Sequence, residues 1–250
     1  LIHNTLEKLF DKHALLDSLG NENIPKPRAL EEDDLNQMLI DYKALLYNEF
    51  LNYFDNESQL FLEGKNLVSY TIAQDTIENT IKKELEFLKK QSEPFYIVQV
   101  EAKKEISLDV LVSGQKKTIH FKGYIDRIDK IGDAYRVIDY KSGKVKEADV
   151  KFKLKDNDLL VSFTNCKHAV QLALYSLFFK HSFGAYPNEA IIYSLTDVSK
   201  MDHKLSYANH NLTDICELFE TFIKEVLNEI FDESSSVEHN EKSKYCNYCQ

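Results

Sequence analysis

The sequence Gly123-Tyr124-Ile125-Asp126-Arg127-Ile128-Asp129, followed by Val137-Ile138-Asp139-Tyr140-Lys141-Ser142-Gly143, decides the fold of this chain. Both stretches alternate between apolar and polar residues and contain β-branched residues in places, as is typical of β-strands. Gly132-Asp133 lies between them and is a candidate two-residue hairpin turn. If those two residues form the turn, Ile131 pairs with Ala134, and Asp126 then lies directly opposite Asp139.

Two carboxylates and an ammonium group converge on this predicted hairpin. Asp139 and Lys141 project to the same side because side chains alternate along a strand. The facing charges of Asp126 and Asp139 repel, and a divalent cation such as Mg²⁺, which prefers oxygen ligands, would remove that repulsion. Such a metal can activate a water beside a phosphate, with Lys141 next to it. The alternative is a solvated hairpin face without function, although Val137 and Ile138 make a surface strand less natural.

The rest of the chain supplies helices around these strands. Apolar periodicity predicts helices over 1–19, 30–55, 59–91, 166–183 and 212–232, and strands over 95–106, 118–129, 135–140 and 190–195. This order is typical of one α/β domain with a mixed sheet flanked by helices and a helical insertion after the first helix. We expect a domain over 1–233, with the insertion at 20–92, and a linker with the start of a cysteine motif over 234–250.

Composition sets broad limits on function. The chain has 250 residues, of which 43% are hydrophobic and 29% charged, which is typical of a folded soluble protein. It contains no apolar run of the ~20 residues that a membrane helix needs, and we expect no signal peptide. Its four cysteines are not expected to form a secreted disulfide framework. We therefore expect a cytoplasmic protein without a membrane partner. The net charge of −10 argues mildly against nucleic acid, but says little about a local groove.

The motifs resemble, in order, those of the PD-(D/E)xK nuclease superfamily, and within it the RecB-like branch found in AddB- and RecB-type helicase–nucleases. That branch has G-x-x-D on one strand and (D/E)-x-K on the next, as Gly123 to Asp126 and Asp139 to Lys141 do here. It also has Q-x-x-x-Y on the following helix, matched by Gln171 to Tyr175, and a histidine on an early helix, matched by His3. The resemblance implies a restriction-endonuclease-like core.

The resemblance also implies an activity, which is that of a Mg²⁺- or Mn²⁺-dependent DNA nuclease, expected to be an exonuclease in a helicase–nuclease that processes DNA breaks. Its metal ligands would be His3, Asp126 and Asp139. Lys141 would act in catalysis, Gln171 would support that lysine or the backbone, and Tyr175 would contact DNA or the acid strand. The alternative is an inactive domain of the same fold that binds DNA or scaffolds a partner. Such domains usually lose an acid or the lysine, and here all three are present.

Several residues outside the central motif have a plainer interpretation beside the functional one. His3 alone is more often a surface or helix-end histidine, and Gln171 and Tyr175 alone would be ordinary packing. Lys144 and Lys146 are natural phosphate contacts next to such a site, but lysines in such loops are most often just solvated. Glu101 is either an edge-strand charge or a support for the site. Arg127 and Asp129 point away from Asp126 and are interpreted as a structural ion pair.

Cys246 and Cys249 have a spacing that suits thiolate ligands of one metal or cluster. In the resembling family, these cysteines often belong to an iron–sulfur cluster. We therefore expect a [4Fe-4S] cluster in the full-length protein only and none in this 250-residue chain. The alternative is a pair of ordinary thiols in a frayed tail.

Overall fold

A computed structural model describes residues 1–23, 28–112, 115–152, 166–197 and 200–231 of the chain. Its strands are β1 (Phe95–Val112), β2 (Gln115–Ile131), β3 (Ala134–Lys141), β4 (Glu189–Ser194) and β5 (Asp202–Lys204). Its helices are α1 (Ile2–Asp11), α2 (Glu32–Tyr53), α3 (Gln59–Leu62), α4 (Gly64–Leu88), α5 (Lys167–Phe183) and α6 (Leu212–Phe231). A short 3-10 helix spans Glu147–Val150.

The strands form one mixed sheet in the order β1-β2-β3-β4-β5. Neighbouring strands are antiparallel except β3 and β4, which are parallel. A parallel pair needs a crossover connection, and α5 lies in the segment that makes it. The predicted α/β class with a mixed sheet flanked by helices is confirmed.

The β2–β3 hairpin has the register that its turn predicts. Gly132 adopts a positive φ of 55°, which glycine tolerates without strain, and Ile131 pairs with Ala134. The ladder continues to Arg127 and Ile138, where it stops. Beyond that pair the strands separate, because β2 continues alongside β1 while β3 continues alongside β4. We call this opening the fork; it begins at Asp126 on β2 and Asp139 on β3.

Each face of the sheet buries its own hydrophobic core. Ile128, Val137 and Ile192 pack on one face with residues of α5 and α6. Ile138 and Ile191 pack on the other face with residues of α1, α2 and α4. The strands at the fork are therefore covered on both sides, which explains why Val137 and Ile138 are both fully buried.

The helical insertion consists of α2, α3 and α4. Helix α2 begins with a capping box in which Glu31 and Asp34 each bond the other's backbone, and Arg28 holds Asp34 through two bonds of 2.6 Å. Buried residues of α2 and α4 belong to the core that also contains sheet residues. The helix predicted over 30–55 is confirmed as α2, while the one predicted over 59–91 is divided at Glu63 into α3 and α4. The division into a domain over 1–233 and a segment over 234–250 stays a prediction.

Some boundaries differ from those predicted. The first helix ends at Asp11 rather than near residue 19, because the backbone amides of Leu15 and Leu16 bond to Ile97 and Val98 of β1. Strands β1 and β2 extend further than predicted, and their outer part buries Leu108 and Val110. Strand β5 was not predicted, since its short span carries no periodic signal. No helix in the described part of the chain is both long and apolar enough to cross a membrane.

Candidate active site

The fork brings Asp126 and Asp139 together. The sequence predicted them as direct cross-strand partners, but the ladder stops one pair earlier. Instead, the backbone amide of Tyr140 donates a hydrogen bond of 2.7 Å to Oδ2 of Asp126. The side chain of Asp126 is 14% exposed and that of Asp139 is 2% exposed. Both acids are thus fixed at the point where the two strands part.

The surroundings of the two carboxylates disfavour their charged forms and raise the pKa of each. Burial raises the pKa of Asp126, and the hydrogen bond from Tyr140 opposes this. Burial also raises the pKa of Asp139, the neighbouring charge of Asp126 raises it further, and Lys141 lowers it. Burial and like-charge proximity are the conditions under which a bound cation stabilises a carboxylate pair.

Asp139 has a different neighbour on each oxygen. Gln171 Nε2 donates to Oδ1 at 2.8 Å. Oδ2 lies 2.7 Å from Lys141 Nζ and has no aligned hydrogen-bond donor among the described residues. A buried carboxylate oxygen with remaining acceptor capacity can still take a cation or a water.

Helix α5 presents Gln171 and Tyr175 to the fork from one face, since they are one helical turn apart. Gln171 Nε2 also contacts the Tyr175 hydroxyl at 2.9 Å. Burial, followed by the charge of Asp139, raises the pKa of Tyr175, which keeps the phenol neutral. The resemblance implied that Gln171 supports the lysine or the backbone, whereas the structure places it on the acid Asp139.

The packing around Gly123 explains why the G-x-x-D motif has a glycine at its first position. A Cβ atom at this position would lie 2.8 Å from a ring carbon of Phe178 on α5, closer than carbon atoms pack. The absence of a side chain therefore lets α5 approach β2. This close approach holds the helix that carries Gln171 against the sheet.

Helix α1 brings His3 to the other side of the fork. Its Nδ1 lies 3.8 Å from Oδ2 of Asp126, and its ring meets that of Tyr140 edge-on with centroids 6.0 Å apart. Burial lowers the pKa of His3, and the charge of Asp139 opposes this shift. The neutral imidazole is the form that binds metals.

Glu101 faces the fork from β1. Its neighbours in the strand, Val100 and Ala102, pair with Arg127 and Ile125 of β2. Its φ of 46° is unusual for a residue other than glycine. Burial, followed by the charges of Asp126 and Glu7, raises the pKa of Glu101 to about 7. The sequence left this residue open between an edge charge and a supporting role, and the structure places it at the site.

Glu7 lines a narrow crevice with His3, Glu101 and Asp126. Sequence reasoning missed it, although its position one helical turn after His3 put it on the same face of α1. Burial raises the pKa of Glu7, and the charge of Asp11 adds to this. The fork therefore gathers more acidic groups than the two in the central motif.

The pair Asp126 and Asp139 fits a hard divalent cation. Across the described residues, no three histidine, cysteine or carboxylate side chains are gathered into a ready-made cation site. Mg²⁺, however, is often held by only one or two carboxylates together with water and phosphate. The crowded carboxylates of Asp126 and Asp139, one partly and one fully buried, meet that description, with His3 beside them.

Lys144 and Lys146 follow β3 on the segment that leaves the fork. Both are exposed, and neither forms an ion pair with another described residue, whereas Lys151 pairs with Glu147 at 3.5 Å. Two other positions that the sequence singled out, Cys246 and Cys249, lie outside the described residues.

The comparison with protein families agrees with the motifs. The family model of the PD-(D/E)XK nuclease superfamily matches residues 1–250. A comparison with curated proteins finds no match. Because the family model covers the whole chain, this chain belongs to the PD-(D/E)XK nuclease superfamily.

Proposed function

We propose that the chain is a Mg²⁺- or Mn²⁺-dependent nuclease domain that hydrolyses phosphodiester bonds in DNA. One observation carries this proposal: the carboxylates of partly buried Asp126 and buried Asp139 lie together at the fork, with the ammonium of Lys141 2.7 Å from Asp139. Two acids and a lysine at a strand opening can hold a cation and face a phosphate. The membership of the nuclease superfamily supports the same conclusion.

Each residue at the fork has a proposed role. Asp126 and Asp139 would hold the metal, with His3 as a further ligand. A metal held there would supply activation of a water and neutralisation of charge on the phosphate. Lys141 orients the water or stabilises the phosphate. Gln171 fixes the carboxylate of Asp139 through its bond to Oδ1.

Tyr175, Lys144 and Lys146 are the proposed DNA contacts. The two lysines are exposed and form no ion pair with another described residue, and lysines in such a position can neutralise phosphates. Tyr175 reaches the fork with a neutral hydroxyl, which can donate to a phosphate oxygen. The positive charges of Lys144 and Lys146 lie next to the fork in the sequence, although the chain as a whole carries a net charge of −10.

The cellular role that we propose is that of an exonuclease in a helicase–nuclease that repairs or recombines broken DNA. It rests on the RecB-like order of the motifs, with His3 before the acids and Gln171 to Tyr175 after them. An exonuclease should degrade linear plasmid DNA and leave the closed circular form intact.

Cleavage of linear DNA tests the proposal against the alternative of an inactive DNA-binding domain. The 250-residue chain should cleave with Mg²⁺ or Mn²⁺ and stop when chelator is added. Asp126→Asn and Asp139→Asn should each abolish cleavage and leave the circular dichroism spectrum unchanged. The matched control is Asp41→Asn, a partly exposed acid of α2 that pairs with Lys12 outside the fork. DNA binding without cleavage under all metal conditions would favour the inactive domain.

A further inference from the structure

A buried network of charged groups lies beneath the fork, on the sheet face that α4 covers. Arg127 is its centre and is fully buried. Its guanidinium donates to Glu84 of α4 at 2.8 Å, to Asp129 at 2.9 Å and to the hydroxyl of Tyr140 at 2.7 Å. Arg136 extends the network by donating to Asp129 at 2.9 Å. The structural ion pair predicted for Arg127 and Asp129 is confirmed as one part of this network.

The network is joined to both acids of the fork through the chain itself. Arg127 directly follows Asp126, and Tyr140 directly follows Asp139. The backbone amide of Tyr140 donates to the Asp126 carboxylate, while its hydroxyl accepts from Arg127. One short path of hydrogen bonds therefore runs from Glu84 through Arg127 and Tyr140 to Asp126.

Glu84 is the member of this network that comes from the helical insertion. Its side chain is 1% exposed, so its charge is stable there only because the arginines pair with it. Arg127 also rests on the ring of Phe10, with 4.5 Å between guanidinium carbon and ring centroid. Phe10 belongs to α1, the helix that carries His3. The network thus fixes two helices to the strands that form the fork.

From this geometry we infer that Glu84 of the insertion is a positioning residue for the metal site. It acts through Arg127 and Tyr140, which set the distance between the strands where they carry Asp126 and Asp139. The metal-binding part of this inference rests on the proposed function, and the strand-positioning part does not. The helical insertion would accordingly contribute a residue that positions the active site.

The test is the isosteric variant Glu84→Gln, which removes the charge and keeps the shape. Its control is Glu78→Gln on the same helix, because Glu78 accepts from Tyr42 and Lys82, both of which belong to the insertion. The first readout is amide hydrogen exchange at Tyr140 relative to Leu172 of α5, in metal-free protein at low temperature. If Glu84 only stabilised the fold as a whole, its loss would speed exchange equally at the amides of Tyr140 and Leu172, because global unfolding exposes both.

We expect the Tyr140-to-Leu172 exchange ratio to rise about tenfold in Glu84→Gln and to stay unchanged in Glu78→Gln. The second readout is Mn²⁺ affinity by calorimetric titration, which should fall about tenfold, as is usual when a group supporting a metal ligand is changed. An unchanged exchange ratio in Glu84→Gln would overturn the inference. Wild-type protein that binds no Mn²⁺ would defeat the proposed metal site, while the exchange ratio would still decide the role of Glu84.

A milder variant decides the question if Glu84→Gln fails to fold. Tyr140→Phe removes only the hydroxyl that accepts from Arg127 and keeps the amide that donates to Asp126. We expect the exchange ratio at position 140 to rise about threefold, because the path is interrupted at one hydrogen bond only. A ratio equal to that of the wild type in Tyr140→Phe would overturn the inference in that case.

Discussion

Replacing Glu101 by glutamine should stabilise the metal-free protein at alkaline pH. Glu101 faces Asp126 at the fork, and its pKa is raised from an ordinary value of 4.5 to about 7 by burial and by neighbouring acids. The folded protein therefore resists ionisation of this carboxyl more than the unfolded chain does. Glutamine has the same shape and keeps the unusual φ of 46°, so the substitution changes charge and little else.

The sign of the effect follows from the direction of the shift. Below about pH 4.5 the carboxyl is protonated in both states and costs nothing, whereas above about pH 7 it is ionised in both and the folded state bears the full penalty. A shift of this size corresponds to at most about 3 kcal/mol. Because the side chain is partly exposed, solvent reduces the penalty to about 1.5 kcal/mol.

Urea unfolding in chelator at pH 4.5 and pH 8 measures this penalty. Glu101→Gln should exceed the wild type by about 1.5 kcal/mol in unfolding free energy at pH 8 and match it at pH 4.5. The control is Glu105→Gln, which alters an exposed carboxylate of the same strand, 3.2 Å from Lys103, and should change stability little at either pH. A gain of equal size at both pH values, or none at pH 8, would show that Glu101 is not held in a crowded acidic site.

Three further variants probe the fork and its surroundings. Lys141→Met should lower kcat about a thousandfold and leave Mn²⁺ binding in place; normal turnover would remove the lysine from the mechanism. Gln171→Leu should weaken Mn²⁺ binding about tenfold, measured by calorimetry, and unchanged binding would show that the amide does not orient the acid. Replacing Lys144 and Lys146 together by alanine should raise KM for DNA and reduce the salt slope of binding by about 2. Lys43→Ala, an exposed lysine of the insertion, should change neither quantity, and equal effects of both changes would contradict a local DNA surface.

The central hairpin could be predicted from the sequence because its signals are local. Alternation of apolar and polar residues defined β2 and β3, and Gly132-Asp133 fixed the register between them. The register then determined which acids meet. The register did not predict that the ladder ends at Arg127 and Ile138. That end depends on tertiary pairing, because beyond it β2 pairs with β1 and β3 pairs with β4.

The groups that surround the acids could be predicted only in part. His3 and Gln171 were found through ordered motifs, but the partner of Gln171 depends on how closely α5 packs against Gly123. Glu101 lies on an alternating strand, and a positive φ at a glutamate leaves no local signal in the sequence. Its place at the site therefore emerges only from the fold.

Glu84 could not be found from the sequence. Helix α4 contains several acidic residues among basic ones, and its sequence does not separate Glu84 from the others. Two of these acids, Glu78 and Glu86, are paired with lysines near the surface. What distinguishes Glu84 is burial against Arg127. That contact joins residues far apart in the chain, and only tertiary packing brings them together.

A crystal structure of the chain soaked with Mn²⁺ tests the central claim most directly, since anomalous scattering locates the ion without reference to activity. We expect one strong anomalous peak at the fork, from an ion bonded to carboxylate oxygens of both Asp126 and Asp139. A well-ordered fork without a peak, or a peak bound only elsewhere on the protein, would contradict it.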